Sequence, residues 1–98
     1  MPRDVIVLKG NDKETVMVAK AIASDTRWRI LKLLSDKEYD ISRLADAMQQ
    51  TEANVSAQVK HLERAGLIEC HYEPGDHGVR KVCKALIKEI VIKVIGEE

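Results

Sequence analysis

The sequence of 98 residues contains no phenylalanine, one tryptophan and two tyrosines. Large rings therefore cannot fill its interior. A core must be assembled from isoleucine, leucine, valine and alanine, within an apolar content of 45% that is ordinary for a soluble chain. No run of eighteen apolar residues occurs, so there is no candidate for a membrane-spanning helix. Residues 1–10 set Arg3 and Asp4 beside only a very short apolar run, unlike a secretion signal, and the expected location is the cytoplasm.

Net charge is also absent, because 16 Lys and Arg offset 16 Asp and Glu. A neutral chain lacks the broad positive field that draws proteins to phosphate backbones, so any such attraction must be local. Residues 77–93 carry Arg80, Lys81, Lys84, Lys88 and Lys93 against Glu89 alone. That segment is locally basic. There is no Gly-rich phosphate loop, and Gly75 and Gly78 read as turn residues. His61, His71 and Tyr72 have no partners in a recognisable nucleophile or base arrangement. Neither an enzyme nor a cofactor is expected.

The length predicts a single domain spanning residues 1–98. Its most informative stretch is 40–66. Ile41, Leu44, Ala45 and Met48 recur at helical spacing, as do Val55, Val59 and Leu62, which gives two helices with one buried face each. Gln49 and Gln50 leave almost no loop between them, and Thr51 is placed to cap the second helix. Two short helices so joined must cross steeply, as in a helix-turn-helix. On the second helix the face opposite the buried seam holds Ala53, Ala57, Lys60 and Arg64, flanked by Asn54, Ser56 and His61. Small residues let a helix backbone approach a groove, and Asn, Ser and Lys can bond base edges and phosphates. A plain solvated face would have the same composition.

The residues after Gly66 favour a groove-facing helix over a merely solvated one. LIECHY and VRKVCK read as strands around the turn chemistry of PGDHG, giving a hairpin over 67–84 whose return strand carries Arg80, Lys81 and Lys84. A hairpin directly after such a helix makes a wing. AIASDTRWRILKLL, ISRLADAM, NVSAQVKHLERAGLIE and EPGDHGVRKV together resemble the ArsR-like winged-helix regulators, over roughly residues 19–84. The resemblance implies an α+β winged helix-turn-helix with three to four helices. It also implies a dimer that binds double-stranded DNA, usually as a repressor, with the first helix in the dimer interface.

The metal-sensing members of that class carry cysteines on or near the helix-turn-helix, or His and Asp on the last helix. Residues 40–66 contain no Cys, and the terminal segment contains neither His nor Asp. Metal sensing is not expected here, nor is any small-molecule ligand evident. The terminal segments also depart from the usual pattern. DVIVLKG predicts a strand over Val5–Leu8, and Asn11 with Glu14 suggests a capping box for a helix from Asp12 to about Ala23, with Val16, Ala19 and Ala23 as its apolar stripe. Ser24 or Asp25 should start the next helix, with Ile30, Leu31, Leu33 and Leu34 as its core residues and Trp28 in a packing rather than a ligand-binding role. Glu38 and Tyr39 suggest a short strand joining the wing sheet, and Asp40 a helix cap.

Leu86 to Ile95 fits a helical stripe, but its β-branched density favours a strand over Ile87–Val94 paired with Val5–Leu8, as in similar archaeal-type regulators. Residues 4–9 and 86–95 are accordingly expected to take part in dimerisation, since so apolar an exposed strand invites association.

Cys70 and Cys83 are the only cysteines. A turn centred between Asp76 and His77 sets them opposite each other, as two buried hydrophobes, a candidate redox pair or half of a metal site. The metal reading is weakest, because His71 points to the other face of the strand. The leading expectation is a homodimeric regulator of transcription. Ala53, Asn54, Ser56 and Ala57 are assigned to base edges; Thr51, Gln58, Lys60, Arg80 and Lys81 mainly to backbone; Glu52 to cytosine; and His61 to the DNA-facing surface. The rival is a winged-helix protein-interaction module in a larger complex without specific DNA binding.

Overall fold

The computed structural model describes residues 5–10 and 12–94. In chain order these form β1 (Val5–Lys9), α1 (Lys13–Ile22), α2 (Asp25–Asp36), β2 (Tyr39–Asp40), α3 (Ile41–Met48), α4 (Glu52–Arg64), β3 (Ile68–Gly75), β4 (Gly78–Ala85) and β5 (Glu89–Lys93). The strands make two sheets: β1 pairs with β5 in parallel, and β2, β4 and β3 form an antiparallel sheet in that order. The terminal segment is thus a strand paired with the first one, as its branched residues suggested.

Helices α2, α3 and α4 each begin on a side-chain cap. The Ser24 hydroxyl accepts the Arg27 backbone N–H at 3.2 Å to start α2, and the Asp40 carboxylate accepts that of Arg43 at 2.7 Å to start α3. Thr51 Oγ1 accepts the Asn54 N–H at 3.1 Å to start α4. Helix α3 stops where Gln49 takes a left-handed conformation, φ 57°, letting the Gln50 N–H reach back to the Ala45 carbonyl at 3.0 Å. The same device closes α4: Gly66 sits at φ +77°, and the Leu67 N–H donates to the Leu62 carbonyl at 3.1 Å. Leu67 is thereby turned into the core.

That core joins Ile30 and Leu34 of α2, Leu44 and Met48 of α3, and Val55, Val59 and Leu62 of α4 to Ile6, Leu8 and Val18. Branched aliphatics thus fill the space that rings would otherwise occupy. The expected face of α1 is corrected. The buried stripe of α1 is Thr15, Val18 and Ala21, while Val16, Met17 and Ala23 are exposed. The Thr15 hydroxyl is hydrogen-bonded to the Lys9 carbonyl at the end of β1, and this tether fixes the rotation of the helix. The Asn11 half of the expected capping box lies outside the described residues; Asp12 is the N-cap and makes no side-chain cap bond.

Trp28, expected to pack, is 44% exposed. It lies off the Ile30–Leu31–Leu34 seam of α2 and lines a small hollow with Leu31, Ser35, Ile87 and Ile90. The indole thus covers the edge of the core and does not enter it.

Candidate nucleic acid interface

Helix α4 is held from behind by Val55, Val59 and Leu62, all fully buried, and shows Glu52, Ala53, Asn54, Ala57, Lys60, His61 and Arg64 to solvent. Ser56 and Gln58 are half-buried at the margins of that face. Ala53 and Ala57, one turn apart, leave a shallow strip where another surface can approach the backbone. Beside it the amides form a chain: Asn54 Nδ2 donates to Gln50 Oε1, and Gln58 Nε2 donates to Asn54 Oδ1 at 3.3 Å. Asn54 thus has a preset orientation in the free protein. One amide N–H and one oxygen lone pair of Asn54 are left unused by those bonds and can meet a base edge.

The wing is a hairpin of eight residues per strand, closed by the two-residue turn Asp76–His77 with Gly75 opposite Gly78. Gly78 adopts φ +106°, which a side chain would oppose. Its basic residues are engaged. Arg80 donates to Asp40 Oδ2 and to Glu73 Oε1, both at 2.9 Å. Lys81 Nζ, with its side chain 16% exposed, donates to Glu63 Oε1 of α4 at 2.7 Å, and Lys84 lies 3.5 Å from Glu69. The pairs with Asp40 and Glu63 fix the wing against α3 and α4, while those with Glu73 and Glu69 lie within the hairpin.

Glu73 is held below the ordinary carboxylate range by hydrogen bonds from His71 and then Arg80, and Arg80 is pushed up mainly by Glu73 and then Asp40. Any phosphate contact by Arg80 or Lys81 must therefore compete with carboxylates already in place. Among the described residues, Arg43, Lys60 and Arg64 are the cations of the helix-turn-helix that form no ion pair. Arg43 also lines the open groove between the start of α3 and the wing, with Glu52, His77 and Arg80.

Two helices crossing over a tight turn, followed by an antiparallel wing docked on both, define a winged helix-turn-helix. A model of the bacterial arsR regulatory protein family matches residues 24–69. Over that stretch the chain is similar to the ArsR-like winged-helix regulators. Over 72 residues it is 26% identical to HlyU, a transcriptional activator of Vibrio cholerae serotype O1, covering 74% of this chain and 67% of that one. The structure of HlyU from Vibrio cholerae superposes with a TM-score of 0.66 at 23% identity, covering 74% of this chain and 75% of that one, and this likeness concerns the fold. A possible transcriptional regulatory protein of Mycobacterium bovis superposes with a TM-score of 0.67 at 29% identity, covering 74% of each chain. A solution structure of that protein, matched over 74% of this chain and 64% of its own at the same TM-score and identity, is described as a homodimeric winged helix-turn-helix DNA-binding domain.

One residue of this winged helix-turn-helix escaped sequence reasoning. Arg27 donates from Nε to the Ala21 carbonyl at 2.6 Å and from Nη2 to the Lys20 carbonyl at 2.9 Å, capping the end of α1. Its Nη1 donates to Gln58 Oε1 of α4 at 2.8 Å. It therefore positions Gln58 and, through it, Asn54. The sequence placed Arg27 inside a helix turn, where a charge reads as solvated; only the 31-residue reach to Gln58 gives it a role.

The cysteines stand in the register anticipated from the turn. Cys70 and Cys83 are cross-strand partners with Cα atoms 4.1 Å apart, and they are joined as a disulfide. Cys83 is buried and Cys70 half-buried. The bond replaces the expectation of two unlinked hydrophobes.

Proposed function

We propose that the protein regulates transcription by binding double-stranded DNA as a homodimer in the cytoplasm, with the α4 helices of the two subunits in successive major grooves of a pseudo-palindromic site. The observation that carries this reading is the solvent face of α4, where Ala53 and Ala57 permit close approach beside Asn54, Lys60 and His61 on a helix whose opposite side is immobilised in the core. Asn54 and Ser56 are then the polar readers of base edges, with Ala53 and Ala57 against thymine methyl groups and Glu52 within reach of cytosine. Thr51, Gln58, Lys60 and His61 serve the sugar-phosphate backbone.

For the wing, the ion pairs of Arg80 and Lys81 support a positioning role, and Arg43, Lys60 and Arg64 supply the charge that meets phosphate. The family resemblance implies a repressor, whereas HlyU is named as an activator. The same grip on DNA serves either outcome, according to where the site lies relative to the promoter.

A titration of the protein against DNA from its own upstream region and a scrambled control, at two salt concentrations, tests the proposal. Saturable preference for the native sequence that weakens with salt is the expected result. The second reading, a protein-interaction module, is favoured by a specific observation: Arg80, Lys81 and Lys84 all face carboxylates, which leaves the wing without free positive charge on those residues. Absence of binding to either DNA at low salt would select it.

A further inference from the structure

The β1–β5 sheet is incomplete by itself. Parallel sheets ordinarily occur with both faces covered, and two strands alone are marginal in water. Here the cover runs out across the sheet. Ile6 and Leu8 of β1 are 1% and 2% exposed on the face turned to the core, whereas Ile92, the in-register neighbour of Leu8, is 39% exposed. Ile90, beside Ile6, is only half-buried. The opposite face shows Val5, Val7 and Val91 to solvent. On the inner face the lack of cover is therefore concentrated at β5, while the outer face is open on both strands.

We infer that β5 pairs antiparallel with β5 of a second copy, centred on Val91, to make a continuous four-stranded sheet in the order β1, β5, partner β5, partner β1. The inference rests on the homodimer of the proposed function and specifies its seam. The sequence of β5, EIVIK, is self-complementary in this register. Glu89 lies opposite Lys93 of the partner subunit, Ile90 opposite the partner's Ile92, and Val91 opposite the partner's Val91. Opposed residues of an antiparallel pair share a face. Both copies of Ile90 and Ile92 thus come together on the under-covered inner face, and two ion pairs flank a valine pair on the outer one. β1 offers no such match, because VIVLK paired with itself about Val7 sets Val5 against Lys9.

The test combines charge reversal with cross-linking. Lys93→Glu sets Glu89 against a glutamate in both symmetric positions and should weaken the dimer by roughly tenfold to a hundredfold, measured by sedimentation. Circular dichroism checks that the variant is folded. The double exchange Glu89→Lys with Lys93→Glu restores the opposite-charge pairs and should restore the dimer. Val91→Cys, lying on the two-fold axis, should form an intersubunit disulfide on mild oxidation, whereas Val7→Cys should not. A folded Lys93→Glu variant that associates as tightly as the parent, together with a Val91→Cys variant that stays unlinked, overturns the β5 seam while leaving the homodimer intact. A parent protein that sediments as a monomer overturns both.

Discussion

Reduction of the Cys70–Cys83 bond is a direct test of how the wing is held. The two residues are 13 apart in sequence, so the bond closes a short loop in the unfolded chain. Removing that constraint costs about 3 kcal/mol in the chain-entropy account. For a chain of 98 residues, the usual unfolding entropy per residue converts this to a fall of about 15 °C in the melting midpoint. The placement of the wing should suffer much less, because Arg80 reaches Asp40 and Lys81 reaches Glu63 independently of the bond. Thermal melts with and without reductant, with a Cys70→Ser, Cys83→Ser double variant as control, read the first effect. DNA titration at about 25 °C, where the reduced protein remains folded, reads the second and should change by less than about tenfold, equivalent to about 1.4 kcal/mol. An unchanged melting midpoint refutes the entropic argument. A loss of DNA binding well beyond tenfold in the folded, reduced protein refutes the staple and makes the cysteine pair a redox switch.

The same geometry sets four further outcomes. Asp40→Ala should destabilise α3 by about 1 kcal/mol through loss of its cap and loosen the wing from α3, seen as faster amide exchange in β4; Asp40→Asn keeps the cap and should show mainly the second effect. Asn54→Ala should cost about 1–3 kcal/mol at one base position if the amide is bidentate, and an equal loss on every sequence would remove it from the readout. Leu62→Ala, at a fully buried position, should cost about 2–5 kcal/mol in denaturant unfolding. Because the Glu73 pKa is lowered from 4.5 in the folded protein by His71 and then Arg80, those contacts stabilise above that value and are lost as pH falls through the lower folded one. The melting midpoint of the parent should therefore drop below pH 4.5 more steeply than that of Glu73→Gln.

The sequence alone carried the local decisions. Three-and-four spacing, Thr51 and Asp40 as caps, Gly66 as terminator and the Asp76–His77 turn are short-range signals, each set by dihedral preference or by one backbone hydrogen bond. They were sufficient to place the helix-turn-helix, the wing and the register that opposes Cys70 to Cys83. The β-branched run at the end of the chain likewise revealed its strand, since branched side chains favour extended backbone. Tertiary structure decided whatever depends on a distant partner. The rotation of α1 follows from the Thr15 tether to Lys9, and the exposure of Trp28 follows from where α2 meets residues 87–90. Most consequential for function, the basic return strand read as phosphate-binding is already occupied, because folding brings Asp40, Glu63 and Glu73 to Arg80 and Lys81. A charge is visible in a sequence, but whether it is free depends on what the fold sets within about 4 Å of it.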